Sequence, residues 1–72
     1  QLIDLTRAIH DLPDLYREVL LMKDYEQLTN REIADKTGES VAAVKSRLHR
    51  ARAMVRDQLL QEPSNLSSEA YQ

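Results

Sequence analysis

Apolar residues recur at helical spacing in four stretches of the chain. Leu2, Leu5, Ile9 and Leu12 follow one another by three or four positions, with Ala8 beside them, so residues 2–11 read as a first amphipathic helix. Pro13 stops that helix and suits the first turn of the next, where its missing N–H leaves nothing unpaired. Asp14 and Glu18 favour the positive start of the second helix, which Leu15, Tyr16, Val19, Leu20 and Met22 mark out to near Asp24. Its apolar side is wide. These five residues serve either as core packing or, in excess of what one stripe needs, as a partner surface.

Thr29-Asn30-Arg31-Glu32 is a capping box: the Thr29 hydroxyl can accept from the Glu32 amide while the Glu32 carboxylate accepts from the Thr29 amide. A short helix follows with Ile33 and Ala34 inward, and Gly38 supplies the left-handed residue that ends it. Ser40 caps the last and longest run, Val41 to about Gln61, from three residues before Ala43. At 100° per residue Val44, Leu48, Ala51, Val55 and Leu59 fall within about 80° of one another and form its core stripe. A short helix, the turn Gly38-Glu39-Ser40 and a longer helix in close succession make a helix-turn-helix. Small Ala34 lets the two helices approach, and Val44 locks the second against Ile33. The expected fold is all-α, about four helices over residues 1–61, with the motif at about 30–52 and its second helix at about 41–61. After Gln61 the periodicity dissolves into a Ser-rich stretch, and 62–72 reads as a disordered tail.

Length and composition narrow the options. Seventy-two residues make one small domain, with no room for a separate catalytic domain. With one Gly and two Pro, strands have little support. The absence of Cys removes disulfide and thiolate–metal chemistry and fits a cytoplasmic location. No apolar run approaches the ~18 residues of a membrane span, so no membrane insertion is expected. Starting at Gln1 rather than Met, the chain is expected to be part of a longer one.

Charge changes the picture more. The net charge is −2, yet between Val41 and Arg56 stand five basic residues (Lys45, Arg47, Arg50, Arg52 and Arg56) and no acid. Residues 1–40 hold nine acidic and five basic side chains. One cationic element on an acidic body points to local contact with a polyanion. Opposite the core stripe lie Ala42, Ser46, His49, Arg50 and Ala53; Lys45, Arg52 and Arg56 share one flank and Arg47 lies on the other. Small and hydrogen-bonding residues facing out, with long cations on the shoulders, suit a DNA major groove: the crest approaches base edges and the flanks reach phosphates. The plainer alternative is a solvated basic face.

Leu12-Pro13, Arg17-Glu18-Val19, Leu28-Thr29, Glu32-Ile33-Ala34, Gly38 and the run Val44-Lys45-Ser46-Arg47-Leu48-His49-Arg50-Ala51-Arg52 together resemble region 4 of bacterial sigma factors, most closely the extracytoplasmic-function (ECF) group. The resemblance covers about residues 2–60. It implies a domain that binds the −35 element of double-stranded promoter DNA through the second helix of the motif, packs on the β flap of RNA polymerase core and is often masked by an anti-sigma factor. Residue by residue, it implies base reading by Lys45, Ser46, His49 and Arg50, and phosphate contacts from Arg31 and Arg52, with Arg47 a further candidate. Arg56 stands as a phosphate candidate from its flank position, or as a cation complementing the helix C-terminus. Three positions depart from the family pattern. Gln27 stands where Gly is common, which implies a differently shaped loop; Ala42-Ala43 replaces Gly-Thr, losing a hydroxyl; and Glu39 adds an acid at the turn.

Other classes remain to be set beside this one. Leu28-Thr29-Asn30-Arg31-Glu32 also matches the wording of LuxR-type effector domains, although Ser46-Arg47-Leu48-His49-Arg50 does not. A sigma-like decoy that binds an anti-sigma factor and not DNA would have no need of an acid-free reading face. His10 lacks a second histidine or carboxylate cluster at ligand spacing, so no metal is expected, nor any cofactor or small-molecule substrate. No nucleophile, base and oxyanion donor assemble at a recognisable spacing, and the chain is not expected to be an enzyme.

Overall fold

The computed structural model describes residues 2–61; the expected tail at 62–72 lies outside them. Four α-helices follow in order: α1 (Leu2–His10), α2 (Asp14–Leu20), α3 (Asn30–Thr37) and α4 (Val41–Gln61). α1 ends in a tight turn, with the Asp11 N–H donating to Arg7 O at 2.9 Å and the Leu12 N–H to Ile9 O at 3.2 Å. Pro13 stands at the cap of α2 itself, one position earlier than the first helical turn. Its extended backbone aims its carbonyl at the amides of Tyr16 and Arg17, at 3.0 and 2.9 Å.

α2 does not stop at Leu20. It passes directly into a π-helical segment, Leu21–Tyr25, closed by the Glu26 N–H donating to Leu21 O at 2.9 Å. The Leu28 N–H then reaches back to Met22 O at 2.9 Å, so the chain leaves this wide turn still tied to it. The expected second helix therefore has the anticipated length, but its last turn holds more residues than an α-turn would. In the loop that follows, Gln27 takes φ +62°, the left-handed conformation that favours glycine. The departure from Gly at this position has thus not moved the backbone out of a glycine-like conformation.

The motif itself is built by local chemistry. Thr29 Oγ1 accepts from the Glu32 N–H at 3.0 Å, and Glu32 Oε1 accepts from the Thr29 N–H at 2.8 Å, closing both halves of the capping box. Gly38 ends α3 at φ +77°, with its own amide and that of Glu39 bonded to Ala34 O at 2.9 and 3.1 Å. Ser40 Oγ then accepts from the Ala43 N–H at 3.0 Å and starts α4. α4 is the element against which α1, α2 and α3 all pack. Its Val44, Leu48, Ala51 and Val55 are buried, with Leu59 partly so, and they meet Ile33 and Ala34 of α3, Val19 and Leu20 of α2, and Ala8 and Leu12 from the α1 end. Ile33 and Val44 have no accessible surface. Burying such side chains contributes about 1.5–3 kcal/mol each and fixes α4 in one rotational setting, with its opposite side outward.

Candidate nucleic-acid interface

That setting decides what α4 presents. Ala42, Ser46, His49 and Arg50 are exposed along the crest, whereas Ala53 is partly buried. The outward face is therefore concentrated in the first half of the helix, the end adjoining the turn. Lys45, Arg52 and Arg56 are exposed on one flank. Together with His49, Leu48 and the α3 residue Asn30, they line a shallow cleft of about 420 Å³. Lys23, from the π-helical segment, also lines it. Asn30 Oδ1 is buried without a hydrogen-bond partner. Five potential cations thus gather from two elements, and no acid is among the residues lining the cleft.

Lys23 is the residue that sequence reasoning missed. It lies outside the basic run, in a helix with three acids and two bases, and it lines the cleft from the π-helical segment. A second cleft, of about 260 Å³ between α1 and α4, has the opposite character: Asp11 and Asp57 stand among Ala8, Leu12, Pro13, Met54 and Gln58. The two clefts along α4 therefore differ in charge, although Arg47 stands nearer the turn on the flank that faces α1.

The remaining expected contacts are spread out. Arg31 is exposed on the first turn of α3, beside Asn30 in sequence but not itself among the residues lining the cleft. Arg47, on the other flank of α4, is partly buried and its Nη2 lies 3.3 Å from Glu39 Oε2 at the turn. Arg52 Nη2 donates to Asp24 Oδ1 at 2.7 Å. Lys45, Arg50 and Arg56 have no ion pair among the described residues.

The expected partner surface needs correction. Val19 and Leu20 are only 1% and 4% exposed and belong to the core, because a helix of this length lying on α4 turns both toward it. Tyr16 and Met22 pack partly against the core, and Leu15 is half exposed. The apolar side chains that do face out include Leu21 and, at 83% exposure, Tyr25; both come from the π-helical segment. Among the described residues no cluster of three or more metal-ligating side chains occurs, and no helix is long and apolar enough to cross a membrane.

Comparison with known proteins gives this arrangement a context. A family model described as sigma-70, region 4 matches residues 2–55. The chain is 41% identical over 59 residues to RNA polymerase sigma factor SigV of Bacillus subtilis, covering 82% of this chain and 36% of that protein. It is 35% identical over 64 residues to RNA polymerase sigma factor SigZ of the same organism, covering 89% of this chain and 36% of that protein. With the ECF RNA polymerase sigma factor SigE of Mycolicibacterium smegmatis it shares 34% over 67 residues, 93% of this chain and 26% of that protein. The chain thus spans roughly a third of the length of these relatives. No solved structure matches it significantly.

Proposed function

Because the chain belongs to the sigma-70 region 4 family, in its ECF group, we propose that it reads the −35 promoter element in the major groove and docks on RNA polymerase during transcription initiation. The observation that carries this reading is the exposed, acid-free crest of α4, held outward by a helix-turn-helix whose caps at Thr29, Gly38 and Ser40 are formed. Lys45, Ser46, His49 and Arg50 contact base edges. Arg31, Arg47, Arg52 and Arg56 hold backbone phosphates, with Lys23 added to them from across the cleft. The guanidinium of Arg50 matches the N7 and O6 acceptors of a guanine in a bidentate manner. The hydroxyl absent at Ala42-Ala43 narrows direct reading to the part of the crest from Lys45 onward.

Docking on the polymerase, and on an anti-sigma factor that would compete for the same domain, falls to the side of α2 and the π-helical segment, where Leu15, Leu21 and Tyr25 are exposed. The reaction itself belongs to the polymerase; this domain supplies placement, in the cytoplasm where promoter and polymerase meet.

The test is a titration of the chain against promoter duplexes differing at single base pairs. Arg50→Ala should cost about 1–3 kcal/mol on the preferred duplex and flatten preference at one position. Equal losses on specific and scrambled duplexes would reassign Arg50 to the backbone, and no binding to any duplex would overturn the reading.

A further inference from the structure

Two cations on the flanks of α4 are already engaged, and by acids from other elements. Arg52 donates to Asp24 of the π-helical segment at 2.7 Å, 28 residues away in sequence, and Arg47 faces Glu39 of the turn at 3.3 Å. A guanidinium presents the same planar fork to a carboxylate as to a phosphate. Each carboxylate therefore stands on a set of donors that a backbone phosphate would use. Arg52 and Asp24 are each about half exposed; Arg47 is more covered, at 21%, and the open side of its pair is Glu39.

We propose that Asp24 and Glu39 are built-in competitors of the DNA backbone, intramolecular stand-ins for phosphate that occupy Arg52 and Arg47 in the free domain and must be displaced when a duplex binds. The proposal rests on the DNA-reading function above and adds to it two residues that limit affinity. Lys45, Arg50 and Arg56 carry no such partner among the described residues. Competition thus falls on two flank positions and leaves the base-facing Arg50 unengaged.

Ion pairs open to solvent on at least one side are weak, so neutralising either acid should raise affinity by about two- to fivefold. The two pairs lie on opposite flanks of α4 and share no partner, so the double variant should show roughly the product, on the order of tenfold. The experiment is fluorescence anisotropy of the chain and its variants on a labelled promoter duplex, at low and physiological salt. Asp24→Asn and Glu39→Gln should each tighten binding to specific and scrambled duplexes alike. Asp57→Asn makes the same change in net charge in the cleft between α1 and α4 and should change affinity far less. In an Arg52→Ala background the gain from Asp24→Asn should fall to the level of that control. Unchanged affinity in Asp24→Asn and Glu39→Gln would overturn the proposal, and weaker binding would do so too, showing that the acids orient the arginines for DNA. A gain that persists without Arg52 would replace competition with simple repulsion. If the unaltered chain binds a duplex with base preference while neither acid matters, only this proposal fails; if it binds none, the function proposed above fails with it.

Discussion

Replacing Gln27 by glycine should stabilise the domain. Gln27 sits at φ +62° in the loop between the π-helical segment and α3. The conformation is imposed on it: on one side the Glu26 N–H is bonded to Leu21 O, on the other the Leu28 N–H to Met22 O, both at 2.9 Å. The capping box then begins at Thr29. A residue with a Cβ held left-handed costs roughly 1–2 kcal/mol. Glycine removes that strain but loses about 0.5–1 kcal/mol more backbone entropy on folding. The difference leaves Gln27→Gly stabilising by about 0.5–1 kcal/mol. For a domain of this size that raises the midpoint of thermal unfolding by roughly 2–8 °C. Gln27→Ala keeps the Cβ and should leave stability nearly unchanged, since the Gln27 side chain is exposed. Gly38→Ala is the converse. An added Cβ would meet nothing within 4 Å, so its cost is conformational alone, about 1 kcal/mol. Thermal and urea unfolding followed by circular dichroism measure all three. If Gln27→Gly lowered the midpoint while Gly38→Ala lowered it as well, the left-handed strain assigned to Gln27 would be wrong.

Lys23→Ala should weaken binding to all duplexes alike and make the slope of log K against log salt shallower by about one unit, the sign of one lost phosphate contact; an unchanged slope would remove Lys23 from the interface. The chain by itself should bind a matched promoter duplex only at roughly tens of micromolar at physiological salt, because one recognition helix with a few phosphate contacts gains little from counterion release. Nanomolar binding by the monomer would show an autonomous regulator instead.

What the sequence made legible were features determined by neighbours within a few positions. The capping box at Thr29, the left-handed Gly38 and the Ser40 cap each follow from a side chain or backbone preference acting over at most three residues, and all three are formed. The stripe of α4 was legible because burial of Val44, Leu48, Ala51 and Val55 follows one period. The resemblance in Val44 to Arg52 pointed to sigma region 4 over the LuxR-type alternative, and the family match agrees. The π-helical turn was not legible. It leaves no mark in composition, since Leu21–Tyr25 would suit an α-turn equally well, and it is closed by the backbone bonds to Leu21 and Met22. Lys23 and Asp24 escaped notice because they meet α4 only across more than twenty residues of sequence. For Val19 and Leu20 the choice between core and partner surface stayed open in the sequence, and burial settles it as core. Counting apolar positions on one helix cannot tell which of them a long neighbouring helix will cover.

On the proposed reading, these features bear on one question, how a domain of net charge −2 reads DNA at all. Long-range attraction is absent, and two of the cations nearest the backbone face an acid of their own, so the free domain has a low ceiling on non-specific affinity. The base-facing crest keeps Arg50 unengaged, which leaves discrimination between sequences intact while lowering the attraction common to all of them. Such a balance fails for a protein that must find its site alone. It suits a domain carried to the promoter by a larger assembly, where tethering supplies an effective concentration that can reach millimolar and no further contact at the helix is required. A domain held there with strong phosphate contacts would stall on any sequence within reach of the tether. Weak contacts that form only by displacing Asp24 and Glu39 let an incorrect site dissociate quickly, and hold the domain in place only where the bases add their share. The acids that look like defects in a DNA-binding face are then part of how the tethered domain discriminates.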